Sequence, residues 1–242
     1  MDPAVTVFLM ALLPVGGSIG GAILAELWPV PKWLIGAALH MAMGVAIGLV
    51  SMEFMPRTLA TTPAWLIAVL FGVGAAISVA LSKVVVWLND LAGGEGTGKW
   101  QVYSTTAADL MSDGLMTGAT FAVSSGLGLL LAISQVVANV PGGFATAANF
   151  RQRGLARKWR LIAAFSYLLP ALLAAGAGFL LLRGSGEAAQ NAVLALIAGV
   201  LLVTTVEELV PQADRPGTRR WVSTSGFVLG FVFIAFLTEH FN

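Results

Sequence analysis

Apolar stretches and short polar turns alternate along the whole chain. Each apolar stretch is long enough to cross a hydrocarbon core of about 30 Å, which takes about 20 helical residues. The turns between them contain Gly, Pro or charged residues. The division at residues 124–126 depends on Ser and Gly alone, so one long bent helix is the alternative there. The pattern predicts eight membrane-spanning helices, near residues 4–25, 33–56, 63–89, 104–124, 126–150, 159–183, 190–211 and 222–240.

The composition is typical of an integral membrane protein. Apolar residues make up 57% of the chain and charged residues 10%, and the mean hydropathy is +0.87. A soluble domain is about half apolar and about a quarter charged. The longest loop, near residues 91–101, is too short for a separate domain. We therefore predict an all-α integral membrane protein in which residues 1–242 form a single transmembrane domain in the lipid bilayer.

Charge and cysteine content exclude several functions. The net charge is +1 and the basic residues cluster in loops, which gives no surface for nucleic acid. A chain without cysteine has no disulfides, no thiolate metal site and no cysteine nucleophile. Asp109 and Asp113 lie one turn apart on one predicted helix. An intramembrane aspartyl protease needs its two acids on different helices, so we expect no enzymatic activity.

The loop charges predict the orientation. Cytoplasmic loops carry an excess of Lys and Arg, and the total of these residues here differs strongly between alternate loops. With both termini outside, the outer loops hold only Arg57 and Arg183, and the inner loops hold Lys32, Lys99, Arg151, Arg153, Arg157, Lys158, Arg160, Arg215, Arg219 and Arg220. Helical spans rather than barrel strands indicate a bacterial inner (plasma) membrane.

Two of the apolar segments carry a polar stripe at three- and four-residue spacing, which places each stripe on one helix face. Strongly polar groups in hydrocarbon cost several kcal/mol, so the two stripes are expected to face each other or water and to outline a path. The alternative is polar packing between helices, with Asp113 as a hydrogen-bonded buried acid. The stripes are Asp109, Asp113, Thr117, Thr120 and Ser124 in the fourth segment and Gln135, Asn139, Gly142, Thr146 and Asn149 in the fifth.

A short repeat relates the second and seventh segments. Residues 44–56 read GVAIGLVSMEFMP and residues 199–211 read GVLLVTTVEELVP. Without a gap, Gly44, Val45, Glu53 and Pro56 align to Gly199, Val200, Glu208 and Pro211. The loop charges give the two segments opposite directions, which predicts an inverted repeat of helices 1–3 and 6–8 around central helices 4 and 5, as suits alternating access. Chance recurrence of a short pattern is the alternative.

Three segments together resemble a known family. They read DLMSDGLMTGATF in the fourth helix, ANVPGGFATAANFRQRG in the fifth and AGVLLVTTVEELVPQA in the seventh. In order, spacing and eight-span topology they are similar to the ZIP family of divalent metal transporters, in its GufA-like branch, over about half of the chain. The resemblance implies transport of a divalent metal ion as substrate, no prosthetic group, and a homodimer.

The resemblance places the metal ligands only in part. Asp109 takes the position of the fourth-helix histidine and Asp113 that of the motif glutamate, whereas Gly142 replaces the fifth-helix glutamate. One oxygen-rich mid-membrane site is therefore expected instead of a two-metal centre. Its ligands would be Asp109, Asp113, Asn139, Glu207 and Glu208. The transport path would be formed by Glu53, Gln135, Pro141, Gly142, Gly143, Thr117 and Thr146.

The donor types indicate the class of metal. Carboxylate and carbonyl oxygens are hard ligands that suit Mg, Ca or Mn and also bind Fe and Zn. The two histidines, His40 and His240, have no partner at ligand spacing. Pro141 followed by two glycines is expected to break or kink the fifth helix and to free carbonyl ligands.

Two functions remain open at the level of sequence. The first is a permease that moves divalent cations of the zinc, iron or manganese class. Mutual repulsion of Asp109 and Asp113 would then couple binding to proton release. The second is a non-transporting protein of the same fold that acts as a regulator or scaffold, since several family ligands are replaced.

Overall fold

The computed structural model describes residues 3–28, 31–91, 98–214 and 219–241. These residues form eight long helices and no strand. Seven of the helices are long and apolar enough to cross a membrane. The exception is the fourth, because its polar stripe lowers its hydropathy. The helices are α1 Pro3–Leu27, α2 Lys32–Leu59, α3 Ala64–Leu91, α4 Lys99–Val123, α5 Ser125–Gln152, α6 Arg157–Leu182, α7 Glu187–Ala213 and α8 Arg220–Phe241.

The predicted helices agree with these bounds to within about five residues. The division between α4 and α5 is confirmed, because Ser124 is extended, with φ −158° and ψ 135°, and separates two helices. Of the two predicted effects of Pro141, a break or a kink, the break is wrong, since α5 is helical from Ser125 to Gln152, and the kink stays a prediction. Pro141 is buried in this continuous helix, and neighbouring helices stabilise prolines of this kind in membranes.

The helices pack in four close pairs, which are α1 with α5, α4 with α6, α2 with α8 and α3 with α7. Further contacts join α1, α4, α5 and α6 into one group and α2, α3, α7 and α8 into a second, and the groups meet mainly where α2 packs on α5. If α1, α2 and α3 are exchanged with α6, α7 and α8, and α4 with α5, each close pair becomes another of the four close pairs. For example, the pair α1–α5 becomes α6–α4.

Glycines allow the close approach within these pairs. A Cβ at Gly114 or Gly118 of α4 would overlap a backbone carbonyl oxygen of α6, at Ala171 or Ala175. A Cβ at Gly143 of α5 would overlap the carbonyl of Ser18 in α1. Small residues have this role in membrane proteins because they let two backbones touch. The site helices α4 and α5 are thus fixed against α6 and α1.

Two π-helical turns interrupt α2 and α7, at Val50–Phe54 and Thr205–Leu209. They occupy equivalent positions of the short sequence repeat and contain its aligned glutamates, Glu53 and Glu208. A π-turn adds one residue to a helical turn, changes the direction of the following side chains and often marks a functional site.

Ion pairs hold helices together at the end of the bundle that contains the basic loops. Arg160 of α6 contacts both carboxylate oxygens of Glu26 in α1, at 2.5 and 2.6 Å. Arg151 also donates to the carbonyl of Ala25, at 3.1 Å. In the second group, His40 Nε2 lies 3.3 Å from Asp214 Oδ1, just beyond the end of α7. Each group thus has its own polar link at this end.

Candidate metal site

A buried carboxylate in the middle of α4 is the centre of the site. Both of its oxygens accept hydrogen bonds from side-chain amides of α5: Gln135 Nε2 donates to Asp113 Oδ1 at 2.9 Å, and Asn139 Nδ2 donates to Oδ2 at 2.7 Å. Thr117 Oγ1 donates to Gln135 Oε1 at 2.6 Å and so orients the amide. The two polar stripes therefore face each other, as the helical spacing predicts.

The network extends to a third helix through a backbone group. Asn139 Nδ2 also lies 3.2 Å from the carbonyl oxygen of Pro14 in α1. Close α1–α5 packing brings this carbonyl to Asn139, because Gly17 approaches the α5 backbone in the preceding turn of α5. Sequence reasoning missed Pro14, since a backbone carbonyl in an apolar helix leaves no side-chain pattern.

The amides satisfy the hydrogen bonds of Asp113 without cancelling its charge. Among the described residues, its polar side-chain partners are the two amides, and no cationic side chain pairs with it. An isolated charge in a medium of low dielectric constant is costly. Binding of a cation or of a proton would remove this cost.

Two further carboxylates line a cavity next to this network. Asp109, one turn before Asp113, and Glu208, in the π-turn of α7, both line a cavity of about 690 Å³ between α3, α4, α6 and α7. Both side chains are half-buried. The cavity lies between the two helix groups, with α4 and α6 from the first and α3 and α7 from the second. Motion of one group against the other would therefore change its shape.

The other predicted residues are more widely dispersed. Glu53 is buried in the π-turn of α2, whereas Glu207 is exposed and does not line the cavity. Thr146 pairs with Thr106, with the hydroxyl oxygens 3.2 Å apart. Gly143 packs against α1, whereas a Cβ at Gly142 would meet open space.

Pro141 retains one of its predicted effects. Although it does not break α5, it cannot donate a hydrogen bond to the carbonyl of Val137 four residues earlier.

The contribution of α3 to the cavity was not predicted from the sequence. Ser78 of α3 lies 3.2 Å from Thr204 of α7, hydroxyl to hydroxyl. Ser82, four residues after Ser78 and therefore on the same helix face, also lines the cavity, and this spacing was the available sequence signal.

The carboxylates do not form a closed cluster in this conformation. Across the described ranges, no group of three or more His, Cys, Asp and Glu side chains is arranged to hold a metal ion. Hard cations are also bound through amide and backbone carbonyl oxygens, and the site contains both. Comparison of the chain with protein-family models and with curated proteins finds no match.

Proposed function

We propose that this protein is a ZIP-like permease that moves divalent metal cations across the membrane. The observation that carries the proposal is the buried carboxylate of Asp113 at mid-helix, next to a cavity lined by Asp109 and Glu208. Among the described residues, neutral amides are its side-chain hydrogen-bond partners. A metal ion would neutralise these carboxylates, and the amide oxygens of Gln135 and Asn139 would complete an oxygen-rich site after a change of rotamer.

An inverted repeat of helices 1–3 and 6–8 within eight spans is part of the proposal. Three observations support it. The sequence match is ungapped, the π-turns lie at equivalent positions, and the four close helix pairs are related to one another by the repeat. In each half the aligned glycine packs on a partner helix, Gly44 against Phe227 and Gly199 against Phe71. Repeats of this kind suit alternating access around a fixed mid-membrane site.

The donor set indicates cations of the zinc, iron or manganese class. Oxygen ligands without imidazole or thiolate suit Mg, Ca and Mn and also bind Fe and Zn, and the ZIP resemblance favours the zinc, iron or manganese class among these. A loosely assembled site also suits transport, because release requires moderate affinity. The site would work in a bacterial inner membrane with both termini outside, and the ZIP resemblance favours a homodimer.

A non-transporting regulator or scaffold is the second proposal. It is favoured by the absence, among the described residues, of a metal-holding group of three acids and histidines. Under this proposal Asp113 stabilises the α4–α5 interface as a hydrogen-bonded acid.

Metal flux into proteoliposomes tests the two proposals directly. The full chain would be reconstituted, and uptake of Mn, Fe, Zn, Co, Cd and Mg compared for wild type, Asp113→Asn, Glu208→Gln and Glu187→Gln. Glu187 is the matched control, since it lies exposed at the start of the same helix as Glu208. A permease loses at least about tenfold in flux in the first two variants, because loss of a group supporting a metal site costs about 10- to 100-fold.

Each outcome distinguishes the proposals. Flux that survives Asp113→Asn and Glu208→Gln unchanged contradicts the proposed site. A folded wild-type protein that moves none of the six metals supports the scaffold proposal instead.

A further inference from the structure

The cavity beside the candidate metal site is far larger than a metal ion needs. Its volume of about 690 Å³ lies within the range of about 300–1,000 Å³ that is typical of small-molecule sites. It is lined by α4 and α7, which carry Asp109 and Glu208, and by α3 and α6. The chemistry of the lining therefore indicates what kind of molecule could fill it.

The lining separates into an apolar wall and an acidic end. The wall is formed mainly by aliphatic side chains such as Leu196, Ile197 and Val200 of α7 and Met116 of α4. At the other end lie the carboxylates of Asp109 and Glu208. The nearby hydroxyls of Ser78 and Thr204 are paired with each other. Ser82, Thr105 and Ser112 contribute further hydroxyls to the lining, and Asp109 and Glu208 are its charged residues.

The part of the lining that is exposed on the outer surface of the helices is mainly apolar as well. Four large lining residues are strongly exposed: Ile77 at 51%, Val86 at 47%, Met111 at 43% and Leu115 at 43%. Exposed aliphatic side chains on spanning helices face hydrocarbon. A ligand can therefore enter sideways from the bilayer, which requires an apolar body.

We propose that this cavity binds a hydrophobic organic cation, with its apolar body against the α3–α7 wall and its positive charge beside Asp109 and Glu208. A lipid tail would cover the wall but leave both carboxylates without a counter-charge, and a hydrophobic anion would be repelled by them. Charge complementarity in a region of low dielectric constant thus favours the cation. This binding goes beyond metal transport and does not depend on it.

Two probes of the same shape and opposite charge test the proposal. Binding of tetraphenylphosphonium and of tetraphenylborate to the purified full chain in a neutral detergent would be compared by equilibrium dialysis. We expect the cation to bind at least about tenfold more tightly, and Asp109→Asn or Glu208→Gln each to remove at least about tenfold of its affinity, as for loss of one buried charge partner. Glu187→Gln, on the exposed start of α7, should leave binding unchanged.

A size variant tests the location. Ala174 lines the cavity from α6, so Ala174→Leu should weaken cation binding while both carboxylates remain. Equal binding of the two probes by wild type would show an apolar surface without charge selection and overturn the proposal, as would cation binding that the carboxylate and Ala174 variants leave unchanged. Because binding is measured without metal, its failure and a failure of metal flux are separate results.

Discussion

Thr117 and Thr120 are fully buried threonines on α4, about one turn apart, and they differ in hydrogen bonding. Thr117 Oγ1 donates to Gln135 Oε1 at 2.6 Å, whereas Thr120 Oγ1 has no partner among the described residues. Thr117→Val should therefore destabilise the fold by about 1 kcal/mol, the usual net value of a hydrogen bond. Thr120→Val has the same shape change and should be neutral or stabilising, since it removes an unsatisfied buried hydroxyl.

The midpoint of thermal unfolding in detergent, followed by the fluorescence of the seven tryptophans, measures the difference between these variants. Equal midpoints for the two variants would contradict the assigned network. A combined Thr117→Val and Gln135→Leu protein should lose less stability than the sum of the single changes, because both remove the same hydrogen bond.

At the residue scale, helical spacing predicts the centre of the site but not its edges. Asp113, Gln135, Asn139 and Thr117 are polar on otherwise apolar helices, so periodicity alone places them on facing stripes, as the hydrogen bonds confirm. Glu207 and Glu208 are adjacent in sequence, and periodicity does not determine which of them faces inward through a π-turn. The structure turns Glu208 to the cavity and leaves Glu207 exposed.

At the element scale, two adjacent glycines of α5 have opposite packing. A Cβ at Gly143 would overlap the carbonyl oxygen of Ser18 in α1, whereas a Cβ at Gly142 has no neighbour within 4 Å. Gly143→Ala should push α1 and α5 apart and destabilise by about 1–3 kcal/mol, as for other overpacked sites. Gly142→Ala should be stabilising by up to about 1 kcal/mol through helix propensity. Unfolding midpoints measured side by side check this, and a reversed order would refute the α1–α5 packing.

The repeat gives a second prediction for helix packing. Gly44 in α2 and Gly199 in α7 each lie where a Cβ would overlap a carbonyl oxygen of the partner helix, in α8 and α3 respectively. Gly44→Ala and Gly199→Ala should therefore cost similar amounts, each about 1–3 kcal/mol. Gly72→Ala is the control, since nothing lies within 4 Å of its added Cβ. A large cost for one repeat glycine and none for the other, by the same thermal measurement, would contradict equivalent packing.

Helix positions were predictable from hydropathy, but the interruptions within helices were not. Ser124 ends α4 as expected, because its extended backbone separates two helices. Pro141 does not end α5, because packing against neighbouring helices overrides the local preference of proline. The π-turns of α2 and α7 leave no mark in hydropathy and became visible only in the backbone.

At the scale of the whole molecule, hydropathy cannot predict which helices pair. Leu194 and Leu130 are buried between helices, whereas Leu180 and Leu173 are more than half exposed on the outer surface of α6. Lipid and protein interiors are equally apolar, so the same residue type suits both places. Glycine positions are more informative, because close backbone approach needs them, yet a glycine does not identify its partner helix. The division into two groups of four helices therefore required the structure.

The orientation of the whole bundle can be tested with two matched cysteine variants. The native chain has no cysteine, so a single introduced thiol is labelled without background. Ala156 and Ala188 are both exposed, in the basic loop before α6 and in the first turn of α7. The positive-inside rule predicts that the loop that carries Arg151, Arg153, Arg157 and Lys158 faces the cytoplasm.

In intact cells, a membrane-impermeant maleimide should therefore label Ala188→Cys at once and Ala156→Cys only after permeabilisation. The reverse pattern would invert the proposed orientation and place both termini inside. Labelling of both cysteines in intact cells would mean that α6, which separates them, does not cross the membrane. An alternating-access path between the two helix groups would then have no basis. Labelling of neither would place both sites on the cytoplasmic side, with the same consequence. Only the asymmetric pattern with Ala188 outside is consistent with the proposed topology.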